Sequence, residues 1–185
     1  MIDSGSVGHA DRVHADRVQV CDQRLDQDVL VSGEECARLL AGVFDAEDLP
    51  ARAMASITFV DADVIAELAR THLGHTGPTD VLSFPIDGRG PVVRDEPWVV
   101  GDLVLCPEVA AAQAADHAGD LDSEVALLVV HGGLHLCGWD HASPEQQSAM
   151  WARERRVLDS LGVHLSADPW TDPQPSGSGD REDRR

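Results

Sequence analysis

Apolar and polar residues alternate along the chain with two different periods, and the switches between them outline the elements. Val18-Gln19-Val20 opens a short strand. From Glu34 to Phe44 the apolar residues Cys36, Leu39, Leu40, Val43 and Phe44 recur at helical spacing, with Ser32 placed to cap the N-terminus. Ser56 to Val60 carries the β-formers Ile57, Phe59 and Val60 and reads as a strand. A second helix starts at Asp61 or Asp63, presents Val64, Ile65, Leu68 and Leu73, and is broken by Gly74-His75-Thr76-Gly77-Pro78. Val81 to Phe84 is a strand stopped by Pro85, and Val99 to Leu105 is another, with Gly101 marking a bulge or a close approach. Pro107 suits the first turn of a helix that runs to about Ala118. The next helix is capped by Asp122 or Ser123, and its run from Val125 to Val130 is apolar almost all round, so it should be buried. Ser143-Pro144-Glu145 opens a final helix that ends near Leu161.

This order of strands and helices predicts an α/β (α+β) fold, in which a single small mixed sheet is covered by about four to five helices. Residues 1–17 are polar and glycine-containing and are expected to be a disordered extension; 18–165 form one domain; 166–185, rich in Pro, Gly, Asp and Ser, are expected to be a disordered acidic tail. Asp87 to Pro97 reads as a glycine- and proline-rich loop, and no internal repeat is visible.

Composition narrows the class. The 185 residues suit one domain with a real core, and 43% of them are hydrophobic. No stretch of membrane-spanning length is apolar, and Met1 to Ser6 holds neither a basic nor an apolar run, so the expectation is a cytoplasmic protein without a secretory leader. Cys21, Cys36, Cys106 and Cys137 lack paired spacing and read as reduced residues. The net charge is −19, and all 14 basic residues are arginine. Such a surface repels phosphate polymers, so loose, non-specific nucleic-acid binding should be weak.

The chemistry concentrates in His131-Gly132-Gly133-Leu134-His135-Leu136-Cys137-Gly138-Trp139-Asp140-His141. On a helix His131 and His135 stand about 40° apart and roughly 6 Å along the axis, so both imidazoles can reach one ion. Gly138 can take the left-handed turn that ends the helix and returns His141 to the same point. Three imidazoles leave one position of a tetrahedral Zn²⁺ open, the arrangement of a catalytic site at the end of a buried helix. Zinc peptidases with the first spacing carry a glutamate after the first histidine as general base; here that position is Gly132, which disfavours a peptidase or amidase. Cys137 points to another face of the helix.

Other polar residues have two readings each. Asp80, next to Thr79, either orients a ligand histidine or caps a turn, and Asp140 shares both possibilities. Ser83 reads as a sheet hydroxyl, since no histidine lies close in sequence to activate it. Trp139 reads as an aromatic packed under the metal turn, His72 and His75 as exposed residues, and Met150 as core.

The segment from His131 to His141 resembles the H-G-x-L-H-L-x-G-x-D-H signature of the bacterial YbeY family of rRNA-maturation endoribonucleases. Pro78-Thr79-Asp80-Val81-Leu82-Ser83-Phe84-Pro85 resembles its second hallmark, and Gly101-Asp102-Leu103-Val104-Leu105-Cys106 its Gly-Asp strand. The likeness spans roughly residues 18–162 and is nearest the actinobacterial branch. It implies one Zn²⁺ held by His131, His135 and His141, with a zinc-bound water as the attacking group. It further implies cleavage of single-stranded RNA in 16S rRNA 3′-end maturation and ribosome quality control. The partners implied are the 16S rRNA precursor, small-subunit ribosomal proteins and an Era-type GTPase, with no membrane. Many members carry an arginine where this chain has Leu73; Arg70, three residues earlier and near the same helix face, is the candidate to replace it as a phosphate contact. The alternatives are a non-catalytic, zinc-stabilised ribosome assembly factor or a zinc hydrolase of another class.

Overall fold

In the computed structural model of the chain, residues 17–88 and 98–170 are described. Four strands, β1 (Val18–Asp22), β2 (Ala53–Phe59), β3 (Val81–Pro85) and β4 (Trp98–Leu105), form one sheet in the order β1-β2-β4-β3. β1 pairs parallel with β2 and β2 with β4, while β3 runs antiparallel to β4, so the sheet is mixed. Five helices accompany it among the described residues: α1 (Gly33–Ala46), α2 (Ala62–Leu73), α3 (Pro107–Ala114), α4 (Leu121–Leu136) and α5 (Pro144–Ser160).

Successive side chains on β4 point to opposite faces. Leu103 and Leu105 join the main core with Leu39, Leu40 and Phe44 of α1 and Val129, Val130 and Leu134 of α4. Val104 faces the other way and joins Ile65 and Ala69 of α2 and Leu82 of β3 in a smaller cluster. Each fully buried leucine in the main core contributes about 1.5–3 kcal/mol of transfer free energy. α4 is enclosed by both the sheet and α1, which explains its apolar run. Gly132 and Gly133 make that possible. A Cβ on Gly132 would strike Leu103 and come within 3.0 Å of the Ser83 hydroxyl, while one on Gly133 would meet Leu40 at 2.8 Å. One glycine admits the sheet and the next admits α1.

The caps follow simple chemistry. The Ser32 side chain accepts from the Glu35 N–H at the start of α1, and Ser143 forms a reciprocal capping box with Gln146 on α5. The cap of α4 is Asp120, whose side chain accepts from the Ser123 N–H, in place of the expected Asp122 or Ser123. Both expected caps sit inside the first turn, where acidic side chains also favour the helix dipole. β2 begins at Ala53, earlier than Ser56: Ala53, Met54 and Ala55 are poor β-formers, drawn into the sheet by pairing with Trp98 to Gly101 of β4. The β2–β4 register shifts between Met54 and Ala55, opposite Val99 and Gly101, which places a bulge there. α3 stops at Ala114, short of the expected Ala118.

Two segments next to the expected boundaries are anchored. Arg17 is buried, with its Nε donating to the Ala53 carbonyl and its guanidinium paired with Asp45. At the other end Ser166 to Trp170 is docked: the Ser166 N–H donates to Ser123 Oγ at 3.1 Å and the Ala167 N–H to the Ala118 carbonyl at 2.9 Å. Composition flags both segments as polar, but their anchoring depends on partners distant in sequence. Residues 1–16 and 171–185, and positions 89–97 of the expected loop, lie outside the described residues.

Candidate metal centre

α4 delivers His131 and His135 from its last turns, and the chain beyond it delivers His141. Cys137 caps the helix and Gly138 follows at φ 87°. The Gly138 N–H donates to the His135 carbonyl at 2.9 Å and the Trp139 N–H to the Leu134 carbonyl at 3.0 Å, the paired closure of a Schellman motif. The turn carries His141 back across the helix end. One nitrogen from each of His131, His135 and His141 lies within 4.8 Å of the others, and among the described residues these three form the only such ligating group. Ring centroids stand 4.6 Å apart for His131–His135, 5.0 Å for His135–His141 and 5.4 Å for His131–His141.

The hydrogen bonds fix which nitrogens face inward. His135 Nδ1 lies 2.9 Å from the Trp139 carbonyl oxygen, which can only accept, so Nδ1 carries the proton. His131 Nδ1 lies 2.7 Å from Glu154 Oε1, within hydrogen-bond distance, so the carboxylate stands behind the ring and Nε2 faces the other way. Burial, with the neighbouring His131, depresses the His135 pKa below 6.5 and keeps that ring neutral at pH 7. The Nε2 atoms of His131 and His135 therefore face each other at 3.1 Å, with the His135 lone pair turned inward. Two nitrogens of a tetrahedral zinc at roughly 2.0–2.1 Å would stand about 3.3 Å apart, close to the separation found. The donor set fits a divalent metal of borderline softness.

Glu154 was not legible as a site residue. It lies 23 positions after His131 on another helix, 2% exposed, and holds Trp170 Nε1 on its second oxygen at 2.6 Å. Its one signal is its spacing: it stands four residues after Met150 and three before Val157, both buried, so a carboxylate falls within the apolar stripe of α5. Trp139 packs against the core and donates its indole N–H to Glu47 at 3.0 Å. Asp80 adopts the turn-capping role: its Oδ1 accepts from the Val81 N–H at 2.7 Å and from Thr79 Oγ1 at 3.1 Å. Asp140 caps the His141 N–H at 2.8 Å. Ser83 Oγ donates to the Gly132 carbonyl at 3.1 Å and ties β3 to the ligand helix. His72 meets Phe84 edge-on with centroids 5.2 Å apart, Met150 is fully buried, and Cys137 is buried outside the histidine group. Arg70 is on the exposed face of α2, with its guanidinium on both Glu67 oxygens at 2.6 and 2.9 Å.

Position 132, where a zinc peptidase keeps its general base, faces Leu103 and Ser83 and has no room for a side chain. The ligand helix therefore presents no carboxylate there.

Comparison with known proteins gives a consistent result. The family model described as endoribonuclease YbeY matches residues 22–162. A protein named endoribonuclease YbeY from Mycolicibacterium vanbaalenii is 42% identical over 134 residues, covering 70% of this chain and 73% of that protein. One of the same name from Corynebacterium glutamicum is 43% identical over 139 residues, covering 71% of each. Another from Salinispora tropica is 46% identical over 113 residues, covering 57% of this chain and 72% of that one. A solution structure of a Thermotoga maritima protein aligns with a TM-score of 0.47 and 23% identity, covering 78% of this chain and 91% of that one.

Proposed function

The chain belongs to the endoribonuclease YbeY family, and from that premise we propose that it is a zinc-dependent, single-strand-specific endoribonuclease that matures the 3′ end of 16S rRNA and takes part in ribosome quality control. The observation that carries the metal-dependent part is the convergence of the His131 and His135 Nε2 atoms, 3.1 Å apart, with His141 closing the group.

His131, His135 and His141 would hold the ion and contribute no charge of their own, so its full positive charge stays available to a phosphate. Zinc bound there supplies Lewis-acid polarisation of a phosphoryl oxygen and lowers the pKa of a water. Glu154 and the Trp139 carbonyl fix the tautomer and orientation of two ligand rings. Arg70 is proposed as a phosphate contact, exchanging Glu67 for the backbone of bound RNA. Partners in this reading are the rRNA precursor, small-subunit ribosomal proteins and an Era-type GTPase, in the cytoplasm. Among the described residues no helix is long and apolar enough to cross a membrane. With a net charge of −19 on the chain, affinity for RNA would come from the metal centre and from docking on the ribosome, not from a basic surface.

Metal analysis combined with turnover of a short single-stranded RNA tests the proposal. Zinc at one equivalent and cleavage that is lost in a folded His135→Ala variant are expected. A folded, zinc-loaded wild type that leaves RNA intact would overturn the endoribonuclease reading in favour of a zinc-stabilised assembly factor or a zinc hydrolase of another class.

A further inference from the structure

The matched family span ends at residue 162, yet the chain continues back to the metal centre. Ser166 and Ala167 are held by Ser123 and Ala118, and the Trp170 N–H donates to Asp168 Oδ1 at 3.0 Å. Arg155 lies over the Trp170 ring, 4.4 Å from its centroid, and reaches Asp168 at 3.7 Å. This brings the indole N–H to Glu154 Oε2 at 2.6 Å, while Oε1 of the same carboxylate lies 2.7 Å from His131 Nδ1.

We propose that Trp170 is a positioning residue for the metal centre, acting through the Glu154 carboxylate on the His131 ring. The inference rests on the metal-binding reading of His131, His135 and His141. The indole is a donor and never an acceptor, so its hydrogen bond has one direction. A carboxylate on a broad terminal torsion turns freely unless both oxygens are held. Glu154 is 2% exposed, so its second oxygen is held by the indole and not by bulk solvent. With Trp170 and His131 on its two oxygens the carboxylate plane is set, and with it the direction in which the imidazole aims Nε2. The ligand geometry thus depends on a segment whose composition reads as a dispensable tail.

Trp170→Phe separates the roles, because phenylalanine keeps an aromatic ring under Arg155 and removes only the donor. The full-length protein, stripped by chelator, is titrated with zinc against a chromophoric competitor, and melting of the metal-free form is recorded in parallel. The expected result is a zinc Kd raised about tenfold, the lower end of what losing an outer partner of a ligand costs. In a Glu154→Ala background the same substitution should change the zinc Kd no further. An unchanged zinc Kd in Trp170→Phe, whether or not its metal-free form melts lower, overturns the inference and leaves only a packing role. Additive losses in the double variant overturn the route through Glu154. A wild-type protein that binds no zinc overturns both this inference and the metal reading beneath it.

Discussion

Two imidazole–carboxylate pairs meet at one cavity of about 210 Å³, lined by His117, His131 and Glu154, and their resemblance is instructive. His117 Nδ1 stands 2.9 Å from both oxygens of Glu124, which is fully buried. His131 Nδ1 stands 2.7 Å from Glu154, 2% exposed. Each buried carboxylate has a second donor, the Ala118 N–H at 3.2 Å for Glu124 and the Trp170 indole at 2.6 Å for Glu154. The difference is on the far side of the ring. His131 turns its Nε2 toward the His135 Nε2, whereas His117 stands outside the histidine group with its side chain 43% exposed. A carboxylate behind a histidine orients the ring; convergence with other rings is what makes His131 a proposed ligand.

The sharpest break in this comparison comes from the ligands themselves. His135→Ala should reduce RNA cleavage by more than about 100-fold, exceeding the usual effect of outer partners, while His117→Ala should leave it within a few-fold. Single-turnover cleavage of a labelled single-stranded RNA measures both. Next come the carboxylates. Glu154→Gln should weaken zinc binding by about 10–100-fold. Glu124→Gln should leave zinc affinity unchanged and lower stability by about 1–3 kcal/mol, because it disturbs a buried acceptor that serves only the fold. Chelator competition and urea unfolding on the two variants give opposite patterns if the distinction holds.

A third test uses the glycines of the ligand helix. Gly132→Ala forces a methyl against Leu103 and should cost about 1–3 kcal/mol by overpacking. Gly138→Ala meets nothing within 4 Å but must adopt φ 87°, for about 1–2 kcal/mol. Thermal melting ranks them. The smallest effect is pH dependence of the metal-free protein. Burial lowers the His135 pKa, so as pH falls through 6.5 the unfolded chain takes up the proton first. Stability is present above that value and declines as pH drops toward the depressed folded pKa. An increase in melting temperature on acidification over that window would contradict burial of the His135 ring in its neutral form.

The parts of the site that depend on local spacing were legible in the chain. His131, His135, Gly138 and His141 lie within eleven residues, and the helix together with the turn at Gly138 brings the three histidines together. The elements were legible for the same reason, since α1 and α5 announce their caps at Ser32 and Ser143. What escaped was set by contacts distant in sequence. Glu154 looks like one more surface acid on a charged helix until α5 packs against α4. Trp170 looks like tail until Ser166 is fastened to Ser123. The start of β2 at Ala53 depends on β4, some 45 positions away, and no local propensity records it.

The Schellman closure after α4 has a kinetic consequence. Two of the proposed ligands ride on one helix and the third follows a turn sealed by its own hydrogen bonds, so no long loop would have to be ordered when an ion arrives. Uptake and loss should then be governed by the exchange of hydration water at the ion, with the polypeptide as a standing receptacle. Swapping one divalent metal for another requires no unfolding, and the species carried in a cell would follow whichever ion is most available.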